Sequence, residues 1–341
     1  MQRTGMSLLL MSVLALGSWG SGCVYIGGGV NPFARQRGGL QESVVAGEGR
    51  DKILLLDITD VITGREEDRA LGFATEESTV ARVQEALRRA SEDSRVRAVV
   101  LRIDSPGGGV TASDTVYREV RRFREETGRP VIAALLDIAT SGAYYIALAA
   151  DRIVASPTTV TGSIGVILMG LNVEGLMTKL GIRDQTVKSG THKDLLSPFR
   201  RPTPEEREIV QDVIDELHGR FVSLVEQHRS QVAATELRRL TDGRILTASQ
   251  ALTAGLVDRV GYLEDALAEA RAASGVAEAR VIMYHRGDEY RENVYSRWDR
   301  GPLHAAARPR DPALLGMTVM LPEAKGPRFM YLWVPELRPG R

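Results

Sequence analysis

Residues 131–156 read VIAALLDIATSGAYYIALAADRIVAS. An unbroken apolar run leads into Ser141 and Gly142, an alanine- and tyrosine-rich run leads out, and a second apolar run follows Asp151. A continuous apolar stretch without alternation suits a strand buried on both faces. The stretch therefore predicts strand, short helix, strand. Upstream, KILLLDITDVI (52–62) and VRAVVLRID (96–104) read as two more buried strands. Residues 76–91 and 113–127 place apolar side chains at helical spacing, and Gly128 and Pro130 close the second helix. Strands alternating with helices predict an α/β architecture with parallel pairing.

Beyond residue 170 the pattern loosens. NVEGLMTKLG (172–181) reads as a helix and RDQTVKSG (183–190) as a short strand. Residues 203–230 form one long helix with Pro204 and two acids at its start, which suits a helix N-terminus. Residues 247–274 read as helix, glycine turn, helix. Residues 285–312 are polar and arginine-rich, a flexible excursion by composition. RFMYLWVPEL (328–337) is expected to be a short aromatic strand docked on the core or on a neighbour. No internal repeat is evident.

The chain has 341 residues, with 44 basic and 44 acidic side chains. Zero net charge gives no basic surplus for nucleic acid. The single cysteine, Cys23, excludes an intrachain disulfide. It follows MQRTGMSLLLMSVLALGSWGSG, a positive start, an 11-residue apolar run from Ser7 to Gly17 and then small residues, the layout of a secretory signal. The apolar run is shorter than the roughly 20 residues a membrane-spanning helix needs. Small residues before a cysteine match a bacterial lipoprotein processing site, with Cys23 as the lipidated residue; an uncleaved anchor is the alternative. Either tethers the protein outside the cytoplasm. The expected organisation is a lipoprotein-type signal peptide at 1–23, a glycine-rich linker at 24–50, a catalytic domain at 51–280 and a C-terminal extension at 281–341.

DSPGGG (104–109) lies at the carboxyl end of a predicted strand and before a helix, where α/β sheets place ligands. Pro106 and three glycines force a turn with uncovered backbone N–H groups, which can hold an oxyanion. No GK[ST] follows, so this is not a nucleotide-phosphate loop. Ser141 occupies the corresponding place one strand later. Alone it reads as a helix cap. Paired with SPGGG it reads as a nucleophile, with the Gly107 and Gly142 amides as oxyanion donors. A serine needs a base. No histidine lies between Ser141 and Thr191, while Lys188 and Lys193 lie in VKSGTHKDLLSPFR (187–200). A lysine titrates near ~10.4 in water, and burial lowers that by disfavouring the charged form.

Taken in order, RIDSPGGGV, TSGAYYIA, DRIVASPTTVTGSIGV, VKSGTHKDLLSPFR and GLVDRVG resemble the signal peptide peptidase SppA family of serine peptidases, over roughly residues 50–275. The resemblance implies a Clp-protease/crotonase fold of repeated β-β-α units with flanking helices. It implies Ser141 as nucleophile, Lys193 as general base and Ser163 as the residue that hydrogen-bonds the lysine amine. It also implies a homo-oligomeric ring in which serine and lysine meet across an interface. Substrates would be leftover signal peptides and other short apolar peptides, in the cell envelope on the periplasmic side, with no metal or organic cofactor. A Clp-type protease would need a histidine soon after the serine. A crotonase-type acyl-CoA enzyme would need catalytic carboxylates. A non-enzymatic envelope scaffold would tolerate replacement of Ser141 and Lys193.

Overall fold

The computed structural model describes residues 39–69, 74–286, 292–296 and 328–333. The signal segment, Cys23 and most of the C-terminal extension lie outside the described residues. The strands, in chain order, are β1 (Gln41–Ala46), β2 (Asp51–Thr59), β3 (Glu67–Arg69), β4 (Ala74–Glu76), β5 (Val96–Ser105), β6 (Gly107–Gly109), β7 (Val131–Thr140), β8 (Arg152–Ala155), β9 (Val160–Gly162), β10 (Ile167–Leu168), β11 (Ile245–Thr247), β12 (Arg259–Val260), β13 (Ala279–His285) and β14 (Phe329–Leu332). The helices are α1 (Thr79–Glu92), α2 (Val110–Thr127), α3 (Gly142–Ala147), α4 (Glu174–Lys179), α5 (Pro204–His228), α6 (Ala234–Leu240), α7 (Ala248–Thr253) and α8 (Leu263–Ser274).

The main sheet runs β1-β13-β2-β5-β7-β8-β12. Every neighbouring pair is parallel except β1 with β13 at the edge. The continuous apolar runs explain the architecture, because both faces of the sheet are covered. Leu54, Val99, Leu101, Val131 and Ala133 face the layer of α1, α2, α3 and α5. Ile53, Leu55, Ala98, Val100 and Ile132 face α8. Truncating a fully buried leucine such as Leu101 should cost about 2–5 kcal/mol. Helix ends follow the sequence signals. Ser78 caps α1, Gly128 closes α2 in the left-handed conformation at φ 66°, and Thr203 with Glu206 forms a capping box on α5.

One irregularity positions the site. The β5–β7 register jumps from Ile103↔Leu135 to Ser105↔Ala139, so β7 carries extra residues there. Such a bulge bends a strand and re-aims its end. The first half of β7 pairs with β8, and the second half pairs with β9. Thr159 secures the divergence by donating to the Leu135 carbonyl at 2.9 Å.

The fold departs from the sequence expectation in three places. The expected linker at 24–50 contains β1, so order begins well before Lys52. Residues 183–190 form no strand: they lie in an exposed segment without a ladder partner, and only Thr186 and Val187 among them favour strand, while Asp184, Lys188 and Gly190 disfavour it. The expected extension at 281–341 supplies most of β13, which sits inside the main sheet, as well as β14. A buried ion pair joins that region to the core. Arg102 donates to Asp57 through two nitrogens at 2.6 and 2.7 Å and to the Ser296 carbonyl at 2.7 Å.

Candidate active site

Ser141 stands where β7 ends and α3 begins. Its backbone adopts φ 54° and ψ −117°, a region a non-glycine residue enters at a cost of about 1–3 kcal/mol. Two backbone bonds hold it there. Its N–H donates to the Gly162 carbonyl at 2.8 Å, and its carbonyl accepts from Tyr145 at 2.9 Å. Its Oγ is buried and has no hydrogen-bond partner. A cap serine would bond an N–H of its own helix, but this one does not, so the cap reading fails. α3 is fixed beneath it, since the Tyr144 hydroxyl donates to the Leu256 carbonyl at 2.7 Å.

Ser163 sits beside Ser141. Parallel pairing sets Thr140 opposite Gly162, so the two serines follow matched strand ends. Ser163 also has positive φ, 52°, and its N–H is held by the Arg244 carbonyl at 2.7 Å.

The glycine strand β6 forms the other wall. On one side Gly107 accepts from the Ile62 N–H at 2.9 Å, and Gly109 donates to the Ile62 carbonyl at 3.0 Å. Successive backbone groups of a strand point to opposite sides, so the Gly108 N–H and carbonyl point the other way, toward β14, where Tyr331 lies opposite. The Gly107 N–H is instead taken by Ser105 Oγ at 3.1 Å, and Ser105 in turn donates to the Asp60 carbonyl at 2.6 Å. In this structure the Gly107 N–H is thus engaged by Ser105, which leaves the Gly108 amide as the alternative donor. Gly107 has φ 104°, and a Cβ there would stand 2.9 Å from the Gly142 nitrogen. Gly142 begins α3, so its N–H has no acceptor within the helix. A Cβ on Gly142 would collide with Ser113 Oγ and stand 3.2 Å from the Gly108 nitrogen. The backbones of β6 and the start of α3 thus approach too closely to admit a side chain at Gly107 or Gly142.

The family model for peptidase family S49 matches residues 124–277, a span that holds Ser141, Ser163 and Lys193. A putative signal peptide peptidase SppA from Enterococcus faecium is 36% identical over 244 residues, covering 72% of this chain and 70% of that relative. The chain belongs to peptidase family S49. Two longer relatives match over part of their length. The chloroplastic serine protease SPPA of Arabidopsis thaliana is 36% identical over 193 residues, 56% of this chain and 28% of its own. Protease 4 of Haemophilus influenzae is 32% identical over 222 residues, 64% of this chain and 34% of its own. The protein is therefore a serine peptidase, and its sheet with flanking helices is the Clp-protease/crotonase-like fold of that family.

A serine nucleophile requires a base, and Ser141 Oγ has no hydrogen-bond partner. Lys193 lies on the segment 170–203, exposed, and does not reach Ser141, whose Oγ lacks any partner. The loop itself is firmly tied. Lys188 donates to Asp194 at 2.6 Å and to the Thr191 carbonyl at 2.8 Å. Arg200 donates to Asp194 at 2.6 Å and to Glu206 at 2.5 Å, fastening the loop to the start of α5. The hydrogen bonds from Arg200 and then Lys188 hold the Asp194 carboxyl well below the usual carboxylate range. Lys188 is thus committed to bracing the loop.

Sequence reading missed an aromatic cluster against the site. Tyr145 of α3 stacks on Tyr331 of β14 with centroids 5.1 Å apart, and Phe221 of α5 lies 4.9 Å from both. The Tyr145 hydroxyl donates to Asp114 at 2.6 Å, and Arg220 also holds Asp114. Burial pushes the Tyr145 and Tyr331 phenols up, so both remain neutral donors. The pair of tyrosines in TSGAYY was the available signal. Among the described residues no helix is long and apolar enough to cross a membrane, and no His/Cys/Asp/Glu group could hold a metal ion.

Proposed function

We propose that the protein is a membrane-tethered serine endopeptidase of the cell envelope that degrades cleaved signal peptides and other short apolar peptides with a Ser141/Lys193 dyad shared between copies of the chain. The observation that carries the reading is the buried, unpartnered Ser141 hydroxyl at a strained strand end beside two amides. The missing proton acceptor supports completion by a neighbour. The segment that bears Lys193 exposes Leu171, Leu176, Leu180, Ile182, Val187 and Phe199, and a second copy would cover these apolar side chains.

In this reading Lys193 of one copy enters the cleft of the next, where loss of water favours its neutral form. Ser163 orients the amine. Lys193 takes the Ser141 proton as Oγ attacks the peptide carbonyl carbon. The Gly108 and Gly142 amides hold the oxyanion, each lowering the barrier by roughly 3 kcal/mol. The amine product leaves with a proton from Lys193. Water, deprotonated by the same lysine, then hydrolyses the acyl-enzyme. Lipidation of Cys23 would tether the particle with its catalytic face in the periplasm. The name of the Enterococcus faecium relative, a putative signal peptide peptidase, supports the substrate class.

The experiment mixes Ser141→Ala and Lys193→Ala chains, each inactive alone. Recovery of peptide hydrolysis in verified mixed particles is expected, because some interfaces then carry both intact groups. No recovery would place the dyad within one chain.

A further inference from the structure

The bulge in β7 comes shortly before Ser141, and two side chains from neighbouring segments hold its backbone. Between the pairs Ile103↔Leu135 and Ser105↔Ala139, β5 sets one residue, Asp104, against three of β7: Leu136, Asp137 and Ile138. One residue cannot ladder with three, so backbone groups of β7 leave the pairing there. Groups displaced in this way need other partners. The Ile138 N–H donates to Asp104 Oδ1 at 3.3 Å. The Thr159 hydroxyl, between β8 and β9, donates to the Leu135 carbonyl at 2.9 Å and shares its proton with the Leu136 carbonyl.

Both clamping residues are themselves fixed. Asp104 pairs with Thr59 in the β2–β5 ladder. Thr159 is buried, its N–H donates to the Ser156 carbonyl at 2.9 Å, and its carbonyl accepts from Ala248 at 3.0 Å. After the bulge, Ile138, Ala139 and Thr140 pair with Val160, Thr161 and Gly162, and Ser141 follows at φ 54°. A residue in that region of backbone space stays there because its surroundings over-determine it. Asp104 also opens the stretch 104–109 that leads into the glycine strand, and Ser105 beside it accepts the Gly107 N–H. The Asp104 bond to Ile138 therefore ties the strand end that carries Ser141 to the strand end that leads into β6.

We propose that Asp104 and Thr159 are positioning residues for the peptidase reaction: by holding the β7 bulge at Ile138 and at Leu135 and Leu136, they set where the Ser141 hydroxyl stands relative to the substrate carbonyl. The proposal rests on the Ser141 reading above. Both residues act through β7. A cleft of about 240 Å³, lined by Thr59, Arg102, Asp104, Leu136 and Tyr295, lies beside the bulge, and residues 136–138 are partly exposed. Water can therefore take the Ile138 N–H when the Asp104 side chain is removed, so the fold survives while the bulge loosens. A nucleophile misplaced by about 1 Å costs on the order of 100-fold in rate. The loss then falls on kcat, because the surfaces that bind the peptide are unchanged.

The test measures kcat and KM of the assembled full-length enzyme on an apolar fluorogenic peptide, with kcat counted per folded chain from thermal melts. Asp104→Ala should lower kcat at least about tenfold and leave KM within about twofold. Asp104→Asn keeps an acceptor oxygen at the same place and should stay within about threefold of the native kcat. Thr159→Val should lower kcat as Asp104→Ala does, and Thr159→Ser, which keeps the hydroxyl, should restore most of it. Hydrogen exchange gives the local readout: the Ile138 amide should exchange about tenfold faster in Asp104→Ala, with the β5 amides unchanged. Native kcat in Asp104→Ala, an equal fall in Asp104→Asn, a loss confined to KM, or unchanged protection at Ile138 overturns the proposal. Should Thr159→Val fail to fold, the Asp104 variants decide the matter by themselves. Failure of the Ser141 reading is seen separately, as peptide hydrolysis that survives Ser141→Ala.

Discussion

Between Val131 and Ala147 nearly every side chain is buried, whereas between Gly170 and Thr203 none is. The first region holds Ser141 under backbone strain, with Thr140 paired to Gly162 and α3 locked beneath. The second holds Lys193 on a loop braced by Asp194, Arg200 and Glu206, with Val187 97% exposed. In the proposed mechanism one chain builds the nucleophile and oxyanion donors and presents the base outward. A serine hydroxyl is a weak nucleophile without a base, so on the proposed mechanism activity would depend on assembly. The same proposal would give the exposed apolar side chains of the arm a cover, a second copy.

The sharpest way to break the comparison is to remove each half. Ser141→Ala should abolish peptide hydrolysis while leaving assembly and thermal stability intact, as read by activity and sedimentation. Lys193→Ala should do the same, and activity in either variant would refute the assigned role. Gly142→Ala should also be severe, because the new Cβ meets Ser113 Oγ at the mouth of the oxyanion site. A fall of about 100-fold in kcat is expected from one displaced donor. The buried frame is tested by Asp57→Ala, which strands the Arg102 charge and should destabilise the fold by about 3–5 kcal/mol in denaturant titration. On the arm, Lys188→Ala should lower activity only severalfold, because Lys188 braces the loop and does not take the proton. A loss equal to that of Lys193→Ala would reverse the two lysines.

The smallest expected effect concerns pH. Burial, and then the nearby Arg121, Arg124 and Arg229, push His228 below its ordinary value, and Tyr117 bonds its ring at 2.6 Å. The unfolded chain then takes up the proton first. Stability is complete above about pH 6.5 and declines as pH falls from there toward the folded value. Thermal melts from pH 8 to pH 5 should show this slope, and His228→Gln should flatten it.

The α/β order was legible from Lys52 to Ala155 because uninterrupted apolar runs and periodic helices agree with one another there. Ser141 was legible as more than a cap because SPGGG stands at the matching strand end. The choice between Gly107 and Gly108 was not legible, since it depends on which side of β6 the Ile62 backbone takes, and that contact is non-local. Nor was β13, whose apolar run ARVIMYH is short and flanked by polar sequence, or the docking site of β14, which pairs with residues more than 150 positions away. Residues 183–190 misled because Thr186 and Val187 alone favour strand there, and the exposed segment offers them no edge to join.

The central claim is that the serine of one chain and the lysine of another form one catalytic pair. The most direct measurement is the Ser141 Oγ to Lys193 Nζ separation in an experimentally determined structure of the assembled particle. A separation near 3 Å between different chains, with Lys193 enclosed, is the expected result. Lys193 left in solvent, or a different base at Ser141, would contradict it.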